Sequence, residues 1–297
     1  MNHGDPKVAQ RGAGQLAPPA DNIVSCILRG IAEGYLDASV HAFLESAVLI
    51  SFQSIDHLTG TEFQNPIVLE PQAVHLWGIE LEGSSRCIGR CLGWLDEAER
   101  HRAARFIREQ DRQHYVLAHG GLRAILSRYL ELSPRAVSLA RTEAGKPVVA
   151  RDTQEPSGIT FNLSHSHNRA LIAVSKAQEI GVDLESVRPD VEAAKLSERY
   201  FTPVEHTVIM QATEDQRALT FFRYWVAKEA ALKAQGIGLR GLSDCEVILG
   251  PDAVSGKARA RLESQSSSSL QLRLLSCGEG WEAAVAAKNL DVVRQGR

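Results

Sequence analysis

Ile180-Gly-Val-Asp-Leu-Glu185 alternates, with apolar Ile180, Val182 and Leu184 separated by Gly181, Asp183 and Glu185. A period of two is the signature of a half-buried strand, so Asp183 and Glu185 share a face. At a rise of about 3.3 Å per residue their attachment points lie roughly 6.5 to 7 Å apart. Two like charges at that spacing repel, and a cation held between them by hard oxygen ligands relieves the repulsion. Acid pairs on exposed strand faces are also commonly just solvated, so the hexapeptide alone leaves both readings open.

The segment Trp225-Val-Ala-Lys-Glu-Ala-Ala-Leu-Lys233 shifts the balance. It lies in the strongest helical pattern of the chain, Asp215 to Ala234, with Gly236 placed to end it. Trp225, Glu229 and Lys233 are spaced four apart and share a stripe. On an exposed helix, Glu229 and Lys233 would be an ordinary ion pair worth about 0.2 to 0.5 kcal/mol. This helix, however, also carries Phe221, Phe222, Tyr224 and Val226, so much of it should be buried, and buried charges need partners. A metal shared with Asp183 and Glu185 would satisfy Glu229, and a ligand phosphate would satisfy Lys233.

The chain has 297 residues, is 44% hydrophobic and carries a formal charge of -3. It can bury a core of one large or two ordinary domains, and no overall basic field points to nucleic acid or an anionic membrane. Its five cysteines are odd in number and form no Cys-x-x-Cys pair. That fits neither a zinc module nor a secreted disulfide framework, and points to a reducing cytoplasm. No apolar run is long enough to span a membrane, and no secretion signal opens the chain.

Residues 1–21 have little to bury and read as a disordered tail. Residues 22–73 read as an extension of unknown role, with a short helix over Val40 to Ile50 and a connector from Pro66 to Pro71. The folded core is expected to begin with the alternating strand Val74 to Leu81. Leu95-Asp-Glu-Ala-Glu99 contains a capping box, with Asp96 as cap and Glu99 reciprocating. A helix over Asp111 to Leu130 follows, then a short turn at Ser133-Pro134.

Arg100, Arg102, Arg105, Arg108, Arg112, Arg123, Arg128 and Arg135 form a basic run. It reads either as a solvated helix face or as a local anion site to which Lys146 could add a cation. Ile159 to His165 reads as a strand ending in Ser164 and His165, with a return strand at Ala170 to Val174. The Gly-x-Ser-x-Gly elbow is absent, which argues against a Ser-His hydrolase. Further on come a helix over Val191 to Tyr200, another opened by Thr202-Pro203, loops at Gly250 to Gly256 and Ser266 to Ser269, and strands at Leu270 to Leu274 and Trp281 to Ala287.

Gly181-Val-Asp-Leu-Glu185 and Trp225-x-x-Lys-Glu-Ala-x-x-Lys233, in this order and at this separation, closely resemble the signatures of the Sfp-type 4'-phosphopantetheinyl transferases. Arg105-Phe106 with Asp111-Arg112, Gly145-Lys-Pro147, Phe161-Asn-Leu-Ser-His-Ser166, Phe201-x-x-x-Glu205 and Gly236-x-Gly238 extend the resemblance over about residues 74–290.

The resemblance implies an α+β fold of two similar α/β halves, 74–178 and 179–297, related by a pseudo-twofold axis with the site in the cleft between them. It implies Mg²⁺ held by Asp183, Glu185 and Glu229, and coenzyme A as co-substrate. The arm of coenzyme A would pass to a serine of an apo acyl or peptidyl carrier protein, with release of 3',5'-ADP. Glu229 and Lys233 would be catalytic. Arg102, Arg105, Lys146, Ser164, His165 and Lys233 would contact coenzyme A, and Glu205, Trp225 and Lys228 would support the site. A catalytically silent coenzyme A binding protein is the alternative. A monomer is the simpler expectation, because both halves of the cleft would lie in one chain.

Overall fold

The computed structural model describes residues 48–58, 65–150, 158–250, 255–260 and 269–296. The expected tail, and residues 40–47 of the expected early helix, lie outside the described residues.

The chain runs through β1 (Val48–Leu49), β2 (Phe52–Ser54), α1 (Ile55–Leu58), β3 (Ala73–Glu80), α2 (Ser85–Trp94), α3 (Glu97–Ala103) and α4 (Glu109–Leu130). A hairpin of β4 (Leu139–Arg141) and β5 (Pro147–Val149) precedes β6 (Ile159–Ser166), β7 (Arg169–Lys176) and β8 (Ile180–Ser186). Then come α5 (Ala193–Tyr200), α6 (Pro203–Gln211), α7 (Glu214–Gln235), β9 (Cys245–Leu249), β10 (Ser255–Ala260), β11 (Ser269–Ser276), β12 (Trp281–Ala287) and β13 (Val292–Gln295). The fold is α+β.

Two sheets form the centre. In one, β8, β12, β11, β10 and β9 lie side by side, and β1 pairs in parallel with β11. In the other, the order is β13, β3, β7, β6, with β2 parallel to β3. Apolar residues alternate along the strands and fill both faces. Ile180, Val182 and Leu184 pack with Val74, Leu76 and Leu171 between the sheets. On the outer face of one sheet, Trp77, Phe161 and Ile172 pack with Leu117, Leu122 and Ile125 of α4. On the outer face of the other, Ala284, Ala286, Leu272 and Leu274 pack with Val226, Ala230 and Ala231 of α7.

The core begins earlier than Val74. Ile55 and Leu58 are buried in the cluster under α4, and Val48 and Leu49, expected in a helix, are a strand on β11. The expected loop at 250–256 is shorter, since Ser255 and Gly256 pair with Arg273 and Leu272. Strand β8 is also more buried than its pattern implied, because both its faces are covered.

Candidate active site

Strand β8 and helix α7 meet at Gly181. A Cβ there would lie 2.0 Å from the Ala230 carbonyl oxygen and 2.4 Å from the Ala234 nitrogen, so only glycine lets the helix backbone settle on the strand. That approach hangs Glu229 and Lys233 over the acidic face of β8. The helix ends in Gly236 with φ 70, the left-handed cap that glycine favours.

Lys233 Nζ donates to Asp183 Oδ1 at 2.6 Å and to Ser164 Oγ at 3.1 Å, and lies 3.9 Å from Glu229 Oε2. Ser164 Oγ in turn donates to Asp183 Oδ1 at 2.8 Å, and Ser166 Oγ donates to Glu185 Oε2 at 2.9 Å. The inward face of β6 therefore braces β8 residue by residue, starting with Asn162 Oδ1, which accepts from the Val182 N–H at 2.9 Å. The bracing role of Asn162 and Ser166 escaped the sequence reading, although the spacing Asn162-x-Ser164-x-Ser166 was its visible signal.

Negative charge exceeds positive charge at this point. Burial, then the charge of Asp183, pushes Glu229 up to about 7, with Lys233 opposing. Burial, then Asp183, likewise raises Glu185. Burial works against the ammonium of Lys233, but the three carboxylates outweigh it and its pKa is raised. Asp183 is only 3% exposed, and its Oδ2 is buried with no hydrogen-bond partner. An orphaned carboxylate oxygen at that depth is costly.

Among the described residues, no three His, Cys, Asp or Glu side chains are grouped as a metal cage. The expected trio of Asp183, Glu185 and Glu229 is brought together electrostatically, with Asp183 Oδ1 held by Lys233 and Glu185 by Ser166. The donor chemistry nevertheless fits a hard cation that draws part of its shell from phosphate and water. The carboxylates are in excess and one lone-pair-bearing oxygen is unused.

The outward face of β6 carries His165, which is exposed. Its surroundings still pull its pKa down to about 4, through burial first and then His119, Lys233, His114 and Arg102. Lys233 and Arg102 put positive charge near His165, a setting suited to an arriving anion. Arg102 stands 5.8 Å over the Tyr115 ring. The involvement of His114 and His119 was not foreseen.

Other expected site residues are placed elsewhere. Arg105 is exposed, and among the described residues no side-chain contact ties it to this cluster. Lys146 Nζ is engaged by Glu179 at 2.6 Å and by the carbonyls of Ile180 and Ala234 at 3.2 Å each, tying the hairpin turn to β8 and to the end of α7. Lys228 is fully buried and paired with Glu205 at 2.5 Å. Glu205 also accepts from the Thr202 N–H at 2.8 Å and the Val247 N–H at 2.7 Å, so this acid staples α6, α7 and β9 together. Trp225 packs against Phe201 and Phe221.

The basic run divides in the same way. Arg123 is 1% exposed and bound to Glu99 and Asp96, Arg112 pairs with Glu109, and Arg128 reaches the Asn65 carbonyl.

Comparison with known proteins matches these features. Residues 84–177 match the family model described as 4'-phosphopantetheinyl transferase, N-terminal, and residues 179–286 match the 4'-phosphopantetheinyl transferase superfamily. The junction falls in the turn between β7 and β8. The 4'-phosphopantetheinyl transferase HetI of Nostoc sp. is 38% identical over 185 residues, 62% of this chain and 78% of the relative. The phosphopantetheinyl transferase of Thraustochytrium sp. is 29% identical over 74% of this chain and 80% of its own length. The 4'-phosphopantetheinyl transferase Sfp of Bacillus subtilis is 28% identical over 50% of this chain and 64% of its own. The acidic strand, the helix seated on it at Gly181 and these matches agree: the chain belongs to the 4'-phosphopantetheinyl transferase superfamily.

Proposed function

We propose that the protein transfers the 4'-phosphopantetheine arm of coenzyme A to a serine of an apo acyl or peptidyl carrier protein. The carrier serine Oγ attacks the β-phosphorus, the bond from that phosphorus to the oxygen bridging the two phosphates breaks, and 3',5'-ADP leaves. The observation that carries this reading is the packing of Glu229 and Lys233 onto Asp183 and Glu185 in a chain of this family.

Asp183, Glu185 and Glu229 are the residues that would hold Mg²⁺, whose charge, when bound, offsets the negative charge that builds on the pyrophosphate. Lys233, fixed by Asp183 and Ser164, supplies a preorganised cation beside the leaving group. Burial and the charge of Asp183 raise Glu229 to about 7 even with Lys233 opposing, the mark of a carboxylate short of positive charge; accepting the serine proton is the second role assigned to it. His165 and Arg102 line the nucleotide end.

Each sheet carries a 22-residue helix on its outer face, α4 and α7. This supports reading residues 74–178 and 179–297 as two similar halves about a pseudo-twofold axis, with β13 of the second crossing to pair with β3 of the first. With both halves in one chain, the protein would act as a cytoplasmic monomer; gel filtration tests the oligomeric state. Among the described residues no helix is long and apolar enough to cross a membrane.

The test is intact-mass spectrometry of apo carrier proteins incubated with the enzyme, coenzyme A and Mg²⁺. A phosphopantetheine-sized gain is expected. No gain on any of several carriers, with coenzyme A binding retained, would instead identify a silent coenzyme A binding protein.

A further inference from the structure

Residues 48–58 precede the regions matched by the family, which begin at residue 84, yet they are built into both sheets. Strand β1 pairs with β11 of one sheet and β2 with β3 of the other. Between them Ile50 is buried, and its N–H donates to the Ser276 carbonyl at 2.9 Å. Burial and pairing account for the crossing itself. They do not account for Phe52, which is half-buried with its ring set against a charge.

That charge is Arg169. Its guanidinium carbon lies 4.4 Å over the Phe52 ring and 4.8 Å over the Trp281 ring, and Nη1 donates to the Cys277 carbonyl at 2.9 Å. Ring faces attract a cation, and the flat guanidinium can lie along them as an ammonium cannot. The members of this clamp come from distant places: Phe52 from β2, Arg169 from the start of β7 and Trp281 from the start of β12. Phe52 and Arg169 belong to one sheet and Trp281 to the other, so the clamp joins the two.

The position of Arg169 gives the clamp its reach. Arg169 pairs in register with Ser166 across the β6–β7 turn, so the two side chains stand on one face of the hairpin. Ser166 Oγ is the group that donates to Glu185 Oε2. His167, in the turn, meets the Trp281 ring edge-on with centroids 6.3 Å apart, and its Nδ1 lies 3.2 Å from Ser166 Oγ. In the other sheet Trp281 pairs with Ser186, the residue after Glu185. Ser166 and Glu185 therefore sit on the elements that the clamp holds together. Arg169 does not act on Glu185 as a charge, since the cations that oppose the raised pKa of Glu185 are Arg188 and Lys233.

We propose that Arg169, clamped by Phe52 and Trp281, is a positioning residue that sets Glu185 for a cation by holding the hairpin that carries Ser166. The proposal rests on the transferase reading above, in which Glu185 is one of the residues that would hold Mg²⁺. It gives a segment outside the matched regions a part in that site.

The probe is Mn²⁺, which stands in for Mg²⁺ and whose free form is measured by electron paramagnetic resonance. It is titrated into the full chain with coenzyme A, for wild type, Arg169→Lys, Phe52→Leu, Phe52→Tyr, Ser166→Ala and the Ser166→Ala/Arg169→Lys double variant. Lysine keeps the charge and loses the planar face; leucine keeps apolar bulk and loses the ring. Removing a group that holds a metal ligand costs about 10- to 100-fold in metal affinity, the loss expected for Ser166→Ala. Arg169→Lys and Phe52→Leu act one step further out and should lose about three- to tenfold. Phe52→Tyr keeps a ring and should stay within about twofold of wild type. The double variant should bind about as weakly as Ser166→Ala alone, because both changes act through one hydrogen bond.

Wild-type Mn²⁺ affinity in either Arg169→Lys or Phe52→Leu overturns the proposal alone. So does a double variant in which the two losses add, because a clamp that serves only the fold acts independently of Ser166. Should Arg169→Lys fail to fold, Phe52→Leu, alone and combined with Ser166→Ala, carries the same comparison. Failure of wild type to bind Mn²⁺ with coenzyme A removes the metal site from the transferase reading and the proposal with it.

Discussion

Helix α7 carries two lysines five positions apart in opposite circumstances. Lys228 is 0% exposed and closed on every side: Glu205 faces it, the Cys245 carbonyl accepts from it, and the Phe201 ring lies 4.9 Å away. Lys233 is 28% exposed, and its acidic surroundings hold more carboxylates than it can pair, with Asp183 Oδ2 left unbound. The first arrangement is complete without a ligand. The second is electrostatically unfinished, with more carboxylate than Lys233 can balance. Sequence motifs present both lysines as members of one signature; burial and partner count separate a structural pair from a chemical one.

Breaking the closed pair should give the largest effect. Lys228→Met leaves the Glu205 carboxylate buried without its partner, and removing one member of a buried pair costs about 3 to 5 kcal/mol. A urea unfolding curve should show that loss; an unchanged midpoint would mean that Lys228 is not closed as described. Breaking the open pair should act on chemistry. If Lys233 acts on the pyrophosphate as proposed, Lys233→Ala should lower kcat by about 10² to 10³. Its unfolding midpoint should move much less than that of Lys228→Met, and the reverse ranking would erase the distinction.

A third ion pair on the same helix should give the smallest effect. Glu282 is buried, opposite Glu185 in register, and bound to Arg223 at 3.2 Å. Burial raises its pKa above the ordinary 4.5, with Arg223 opposing. A raised folded-state value means that the folded protein binds the extra proton. The contribution of Glu282 is therefore fully present below about pH 4.5 and is lost as pH rises through the folded value. Glu282→Gln should flatten that segment of the stability curve, gaining on wild type as pH increases. Parallel curves for the two proteins would show that Glu282 does not titrate this way.

Much of the site was legible because short-range rules govern it. The alternation of Ile180 to Glu185, the four-residue spacing of Trp225, Glu229 and Lys233, the cap at Gly236, the capping box of Asp96 and Glu99 and the cap at Thr202 are local, and each formed as read. What the sequence hid is long-range. Glu205 and Lys228 are 23 positions apart, and nothing in either segment announces their bond. Lys146 looked like a free cation until Glu179 and the Ala234 carbonyl, 88 residues away, engaged it. Arg123 looked like one more member of an exposed basic face, yet Glu99, fixed by its own capping box, draws it into the core. The strands β1 and β2 are too short to show alternation, and the partners of β1, Leu275 and Ser276, stand near the other end of the chain.

The central claim is that Asp183 anchors a reaction site, with its buried free oxygen reserved for the cation. The most direct measurement compares wild type with Asp183→Ala, matched for fold by circular dichroism, in the intact-mass assay on an apo carrier with coenzyme A and Mg²⁺. Wild type should add one phosphopantetheine arm and the variant none in the same time. A folded Asp183→Ala protein that modifies the carrier at the wild-type rate would contradict the account.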